Sequence, residues 1–190
     1  MTTLAPALST RYFPQTATWI RDVTLIILGS LFTALLARVE VPLPFSPVPI
    51  TGQTFAVLLV GAALGSKRGA ASMALYLAEG ALGLPFFAGG AHGMEIVVGA
   101  TGGYLMGFIV AAYVIGLLAE RGLERNMRTS FVPFLAGTAI IYLLGVSWLA
   151  VVLGSFSDAL AFGLLPFLIG DAIKLAAAAV ALPAAWKLVR

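Results

Sequence analysis

Residues 131–153 read FVPFLAGTAIIYLLGVSWLAVVL, an unbroken run without one charged side chain. A helix that crosses a bilayer needs about 20 apolar residues. An apolar run of this length has no stable place on a water-facing surface, so it sets the fold class as membrane-embedded α-helix.

Working outward from that run, charged or Pro/Gly-rich breaks divide the rest of the chain into five more apolar stretches. Together the six candidate spans are about 19–38, 51–65, 68–84, 99–119, 131–153 and 164–187. The last three have ample length, whereas the second and third are short, and a re-entrant pair is the alternative there. The expectation is an all-α integral membrane protein: a bundle of six transmembrane helices in one domain, 1–190, with 1–18 as a cytoplasmic N-terminal tail.

Composition agrees. The chain is 61% apolar and only 10% charged, against about 25% charged in a soluble domain. A formal net charge of +3 is too small to serve as a nucleic-acid footprint. There are no cysteines and a single histidine, His92, which leaves out thiolate chemistry and histidine-based metal clusters. No cofactor is expected.

The cationic residues report topology. Arg11, Arg21, Lys67, Arg68, Arg121, Arg125, Arg128, Lys187 and Arg190 fall on one side of the six-span arrangement, Arg38 alone on the other, and Lys174 inside a span. This bias places both termini in the cytoplasm of a multi-pass protein of the cell membrane. The first span is expected to be retained rather than cleaved as a signal peptide. Its leader contains Pro6 and Pro14, and Asp22 stands at the boundary.

Two connections lie on the far side. VEVPLPFSPVPITGQT (39–54) carries prolines at 42, 44, 47 and 49, which exclude helix and favour a stiff extended path across a pocket mouth, or a rigid connector. GLPFFAGGAHGMEIVVGATGG (83–103) is rich in glycine, which allows close backbone approach to a ligand or simple flexibility.

The last span holds the most informative residues, PFLIGDAIKL from Pro166 to Leu175. With a helix starting near Pro166, Asp171 lies about 8 Å along its axis. Asp171 and Lys174 are three residues apart and share a helical face. Charges within a span cost about 2.5–3.5 kcal/mol each on insertion scales, so they usually serve a substrate or ion pathway. Side by side, a carboxylate acceptor and an ammonium donor match adjacent N–H and C=O groups, as in a urea or amide. Mutual neutralisation as a structural pair is the competing reading. Glu79 is expected near the outer end of the third span, and Tyr104 at the start of the fourth, where a tyrosine often anchors at the interface. Trp19, Trp148 and Trp186 read as interface or packing residues. In the first span, Gly29/Thr33, Ser30/Ala34 and Thr33/Ala37 form small-xxx-small pairs suited to close helix contact, internal or between subunits.

VPLPFSPVPITGQTF, GLPFFAGGAHG, GATGGYLMGF and LLPFLIGDAIKLA, in this order over residues 20 to 188, resemble the BioY family, the biotin-binding substrate-specificity (S) components of energy-coupling-factor (ECF) transporters. Ala100 departs from the family, which often has proline before TGGY. The resemblance implies a six-helix bundle with a substrate pocket near the extracellular face and biotin as the ligand. It implies that Asp171 accepts from a ureido N–H, that Lys174 donates to the ureido oxygen, and that Tyr104 packs on the ring system. Gln53 is a further polar candidate. It also implies an ECF module of one membrane coupling subunit and two ATPases, met through the small-residue face of the first span (Ser30, Ala34). The chain has no G-x-x-x-x-G-K-[ST] sequence, so it does not hydrolyse ATP by a P-loop; energy comes from partners, or the protein acts passively. Alternatives are an S component or carrier for another vitamin, a membrane scaffold without ligand, and an intramembrane hydrolase. The hydrolase needs a second aspartate facing Asp171, and only Asp22 and Asp158, at surface boundaries, are available.

Overall fold

A computed structural model describes residues 3–187. Arg190 of the charge pattern, Leu188 at the end of the matched motifs, and Met1 and Thr2 of the N-terminal tail lie outside the described residues. The helices are α1 Leu4–Tyr12, α2 Thr18–Leu36, α3 Gln53–Leu64, α4 Ser66–Ala81, α5 Met94–Val98, α6 Gly102–Glu120, α7 Phe131–Leu153, α8 Phe156–Gly163 and α9 Leu168–Trp186. By length and composition, four helical stretches can cross a membrane: Thr18–Leu36, Gly102–Glu120, Phe131–Leu153 and Phe156–Trp186. The last combines α8, a short 3₁₀ turn and α9.

The charge-free run forms α7 throughout its 23 residues, about 34 Å at 1.5 Å per residue. Glycines let α6 and α7 approach closely. A methyl group built on Gly103 would meet the Trp148 side chain at 2.2 Å, and one on Gly137 the Ile115 side chain at 2.3 Å. Large side chains pack over those bare positions, as in small-residue helix pairs elsewhere in membranes.

The small-residue seam of α2 is used inside the chain. Ser30 is fully buried and Ala34 nearly so. Ser30 Oγ donates to Glu79 on α4, Ser72 Oγ of α4 donates to the Ile26 carbonyl at 2.8 Å, and Gly29 faces Ser72. The expectation that Ser30 and Ala34 face a partner subunit is corrected: α4 lies against this side of α2. The outward side of α2 instead carries Trp19, Val23, Leu28, Leu31 and Leu35.

At one end, α3 stops at Gly65 with φ +87, and α4 begins at once. Lys67 and Arg68 therefore occupy the first turn of α4, one residue beyond the turn itself. Glu120, closing α6, accepts from Ser66 N and Ser66 Oγ, both at 2.8 Å, which satisfies orphan donors at the α4 N-terminus. Arg68 pairs with Asp22 of α2 at 2.7 Å, and Trp186 of α9 donates to Glu124 beyond α6. The arginine-rich segments thus share this end.

At the opposite end the proline-rich segment folds as a small hairpin. Strands β1 Glu40–Val41 and β2 Ile50–Thr51 pair antiparallel, Glu40 opposite Thr51 and Val41 opposite Ile50. The prolines fall between the strands, where no ladder donor is required. Ser46 Oγ pins the loop to the Phe162 carbonyl at 2.8 Å. Arg38 Nη2 donates to the Pro85 carbonyl at 2.6 Å, tying the hairpin's base to the glycine-rich connection. Pro166 does not start the last helix. Phe167 N bonds to the Leu164 carbonyl at 3.1 Å, closing a 3₁₀ turn at Leu165–Phe167, and α9 starts at Leu168. Asp171 is therefore in the first turn of α9, about 4.5 Å from its start.

Candidate functional site

The hairpin, the first turns of α3, α6 and α9, and the middle of α7 enclose a cavity of about 260 Å³ at the end opposite the arginine-rich segments. Val48, Phe87, Ile96, Leu105, Phe108, Ile141 and Phe167 make most of its wall apolar. Its polar lining is Glu40, Glu95 and Thr101 together with Thr51, Gln53, Thr54, Tyr142, Asp171 and Lys174. Hydrogen bonds join Thr51 to Gln53 and Lys174, and Asp171 to Thr54, Tyr142 and Lys174. A mostly apolar wall with few placed polar groups is the usual design of a small-molecule site.

Helical spacing brings Asp171 and Lys174 together, with Lys174 Nζ 2.8 Å from Asp171 Oδ1. Asp171 is 7% exposed, so its charge is held by neighbours rather than water. Oδ1 also accepts from Thr54 Oγ1 at 3.1 Å, and Oδ2 accepts from the Tyr142 hydroxyl at 2.5 Å. A carboxylate has about four acceptor positions, of which three are filled here. The ammonium has three donors, directed at Asp171 Oδ1, Thr54 Oγ1 (2.9 Å) and the Thr51 carbonyl (2.7 Å). All three donors are thus used within the protein. Because Thr51 lies on β2, Lys174 also ties the hairpin to α9.

Tyr104 lines the same cavity, but its hydroxyl is committed to the Gly163 carbonyl at 2.8 Å. Its ring is wedged against Gly145, whose hypothetical methyl would sit 2.2 Å from Tyr104 Cδ1. What Tyr104 offers the cavity is a fixed apolar surface. Gln53 lines the cavity too, with both ends engaged. Nε2 donates to the Tyr76 hydroxyl at 2.6 Å, and Oε1 accepts from Thr51 Oγ1 at 2.8 Å. Tyr76 in turn donates to the Phe86 carbonyl at 2.9 Å. This chain of bonds joins the hairpin, α4 and the glycine-rich connection.

Thr54 and Tyr142 were not singled out by sequence. Tyr142 carried a usable signal, as the only tyrosine within the charge-free run. Thr54 carried none, since hydroxyls are common in spans and its partners are more than a hundred residues away. Among the described residues no cluster of three or more His, Cys, Asp or Glu could hold a metal. The hydrolase reading is not supported by the geometry. Asp22 pairs with Arg68 at the far end, Asp158 sits in the first turn of α8, and the groups on Asp171 are a lysine and two hydroxyls.

These features define a helical protein with helices fit to cross a membrane and a small-molecule cavity at one end. The BioY family model matches residues 6–190, and the chain belongs to that family. It is 42% identical over 156 residues to the biotin transporter BioY of Thermotoga maritima, covering 82% of this chain and 91% of that one. It is 34% identical to the biotin transporter BioY of Rhizobium etli, covering 82% and 89%. Among solved structures it matches the S-component for biotin from an ECF-type ABC transporter, with a TM-score of 0.76 and 26% identity over 90% of this chain and 95% of that one.

Proposed function

We propose that this chain captures biotin for uptake across the cytoplasmic membrane, as the S component of an ECF-type vitamin transporter. The observation that carries this reading is the ion pair of buried Asp171 and half-buried Lys174, 2.8 Å apart, in the wall of a mostly apolar cavity. In this reading the ureido N–H donates to the remaining acceptor position on Asp171, and the ureido oxygen accepts from Lys174 in place of the Thr51 carbonyl or Thr54. The ring system packs on Tyr104. Gln53 acts beside them by holding Thr51 and Tyr76.

The chain is one transmembrane domain over 1–190 with six crossings: α2, α3, α4, α6, α7 and the α8–α9 stretch. Helices α3 and α4 have 12 and 16 residues, about 18 and 24 Å, and the hairpin supplements α3 at its short end. The arginine-rich end, with both termini, faces the cytoplasm, which leaves the cavity near the extracellular face. Energy comes from a membrane coupling subunit and two ATPases. Since Ser30 and Ala34 are buried, the contact with that module falls on other surfaces of the chain.

Competition binding tests this reading. Labelled biotin bound to the purified protein should be displaced by biotin but not by its diamine analogue, which lacks the ureido carbonyl. Equal displacement by both would remove the ureido roles, and no biotin binding by folded protein would remove biotin as ligand.

A further inference from the structure

A second recess lies at the arginine-rich end, far from the ligand cavity. It is formed by α1, the start of α2 and the start of α4, and is lined by Thr10, Arg11, Thr18, Arg21, Asp22 and Arg68. Arg21 and Arg68 both line it, and among the described residues Asp22 is the carboxylate that lines it with them. Arg68 uses Nε on Asp22 at 2.7 Å, which leaves its two terminal nitrogens as donors. Arg21 is half-buried and is held by hydroxyls, Nη1 to Thr10 Oγ1 at 2.7 Å and Nη2 to Thr18 Oγ1 at 3.3 Å. Among the described residues no carboxylate pairs with Arg21. A fixed guanidinium fork in an electropositive recess fits the oxygens of a phosphodiester.

The recess does not stand alone. Leu25, in its wall, also lines an apolar groove between α1, α2, α3 and α9 formed by residues such as Leu28, Phe32, Leu59 and Leu182. The groove has no charged side chain in its lining. Headgroup recess and apolar groove therefore meet at one residue, in the order that a lipid's phosphate and acyl chain require.

We propose that this composite site binds an anionic phospholipid, its phosphodiester on Arg21 and Arg68 and one acyl chain along the groove past Leu25. Basic pockets between helices at the cytoplasmic surface are a known physical setting for anionic headgroups. The lipid fastens α1 to the membrane-crossing helices at a place where polar and apolar walls adjoin.

Native mass spectrometry of the detergent-purified protein tests this, after titration with dioleoyl phosphatidylglycerol or dioleoyl phosphatidylcholine, whose acyl chains are identical. One phosphatidylglycerol should be retained in preference to phosphatidylcholine. The R21Q/R68Q double variant should lose about thirtyfold in affinity, the contribution of two arginines near an anionic lipid. R121Q/R128Q, exposed at the same end outside the recess, should keep wild-type retention. Leu28→Trp, which blocks the groove but leaves every arginine, supplies a second readout should the double variant fail to fold; it should also weaken retention. Equal retention of both lipids, equal losses in the two arginine pairs, or wild-type retention by Leu28→Trp overturns the proposal.

Discussion

Adding one methyl group at Gly145 should disable the ligand cavity without touching a polar residue. In Gly145→Ala the new carbon would stand 2.2 Å from Tyr104 Cδ1 and 2.3 Å from Cε1. Ordinary contact begins at 3.4 Å, so the ring must retreat by about 1.2 Å. It has little room to do so. Its hydroxyl is fixed to the Gly163 carbonyl, and a methyl on Gly163 would itself come within 2.3 Å of that oxygen. Overpacking of this kind costs about 1–3 kcal/mol, which corresponds to about 5–150-fold in affinity if it falls on ligand binding. Equilibrium binding of biotin to Gly145→Ala, Tyr104→Ala and the double variant separates ring displacement from general damage. With the ring gone the methyl has space, so Gly145→Ala should cost less than about threefold in the Tyr104→Ala background. Unchanged affinity in Gly145→Ala, or the same loss in both backgrounds, would refute the claim that these glycines set the position of the tyrosine.

Other substitutions probe single links in the network. Tyr142→Phe removes the donor to Asp171 Oδ2 and should destabilise the ligand-free protein by about 1.5–3 kcal/mol, the worth of a hydrogen bond to a charged group; thermal melting in detergent reads it, and an unshifted midpoint would count against the assignment. Gln53→Leu breaks two hydrogen bonds, one of them buried, and should lower the melting temperature while leaving affinity within about a factor of ten. A collapse of binding at unchanged stability would make Gln53 a direct ligand contact instead. Glu124, in the segment between α6 and α7, is fully buried, and burial raises its pKa above the ordinary carboxylate value. The unfolded chain then ionises at lower pH than the folded one, so this residue's contribution to stability falls as pH rises above the ordinary carboxylate range. Glu124→Gln keeps an acceptor for Trp186, so its melting temperature should match or exceed wild type at neutral pH, with the difference shrinking on acidification. A neutral-pH penalty that disappears only at higher pH would reverse the sign and refute this.

What could be read in the sequence was what the bilayer makes expensive. A charge-free run such as 131–153 has one physical home, and Asp171 and Lys174 stand out because charge within a span is costly. Their shared face follows from helical spacing alone. The groups around them were less visible. Thr54 reaches Asp171 across 117 positions of sequence, and no periodicity marks a hydroxyl as a carboxylate's partner. The seam at Gly29, Ser30 and Ala34 announced close helix contact but not with which helix, and the answer is α4. Pro166 suggested a helix start, yet its fixed φ serves a 3₁₀ turn equally well, which moved α9 by two residues. The hairpin was hidden for a related reason: prolines exclude helix and long strands, but two-residue strands on either side of them remain possible.

In the proposed function, Asp171 and Lys174 together hold the ureido group of biotin. Equilibrium binding of radiolabelled biotin to the purified wild type, Asp171→Asn and Lys174→Ala tests it most directly, with melting curves to verify that each protein is folded. Tight binding by the wild type and loss of binding in both variants are expected. Folded variants that bind as the wild type does, or a folded wild type that binds no biotin, would contradict it.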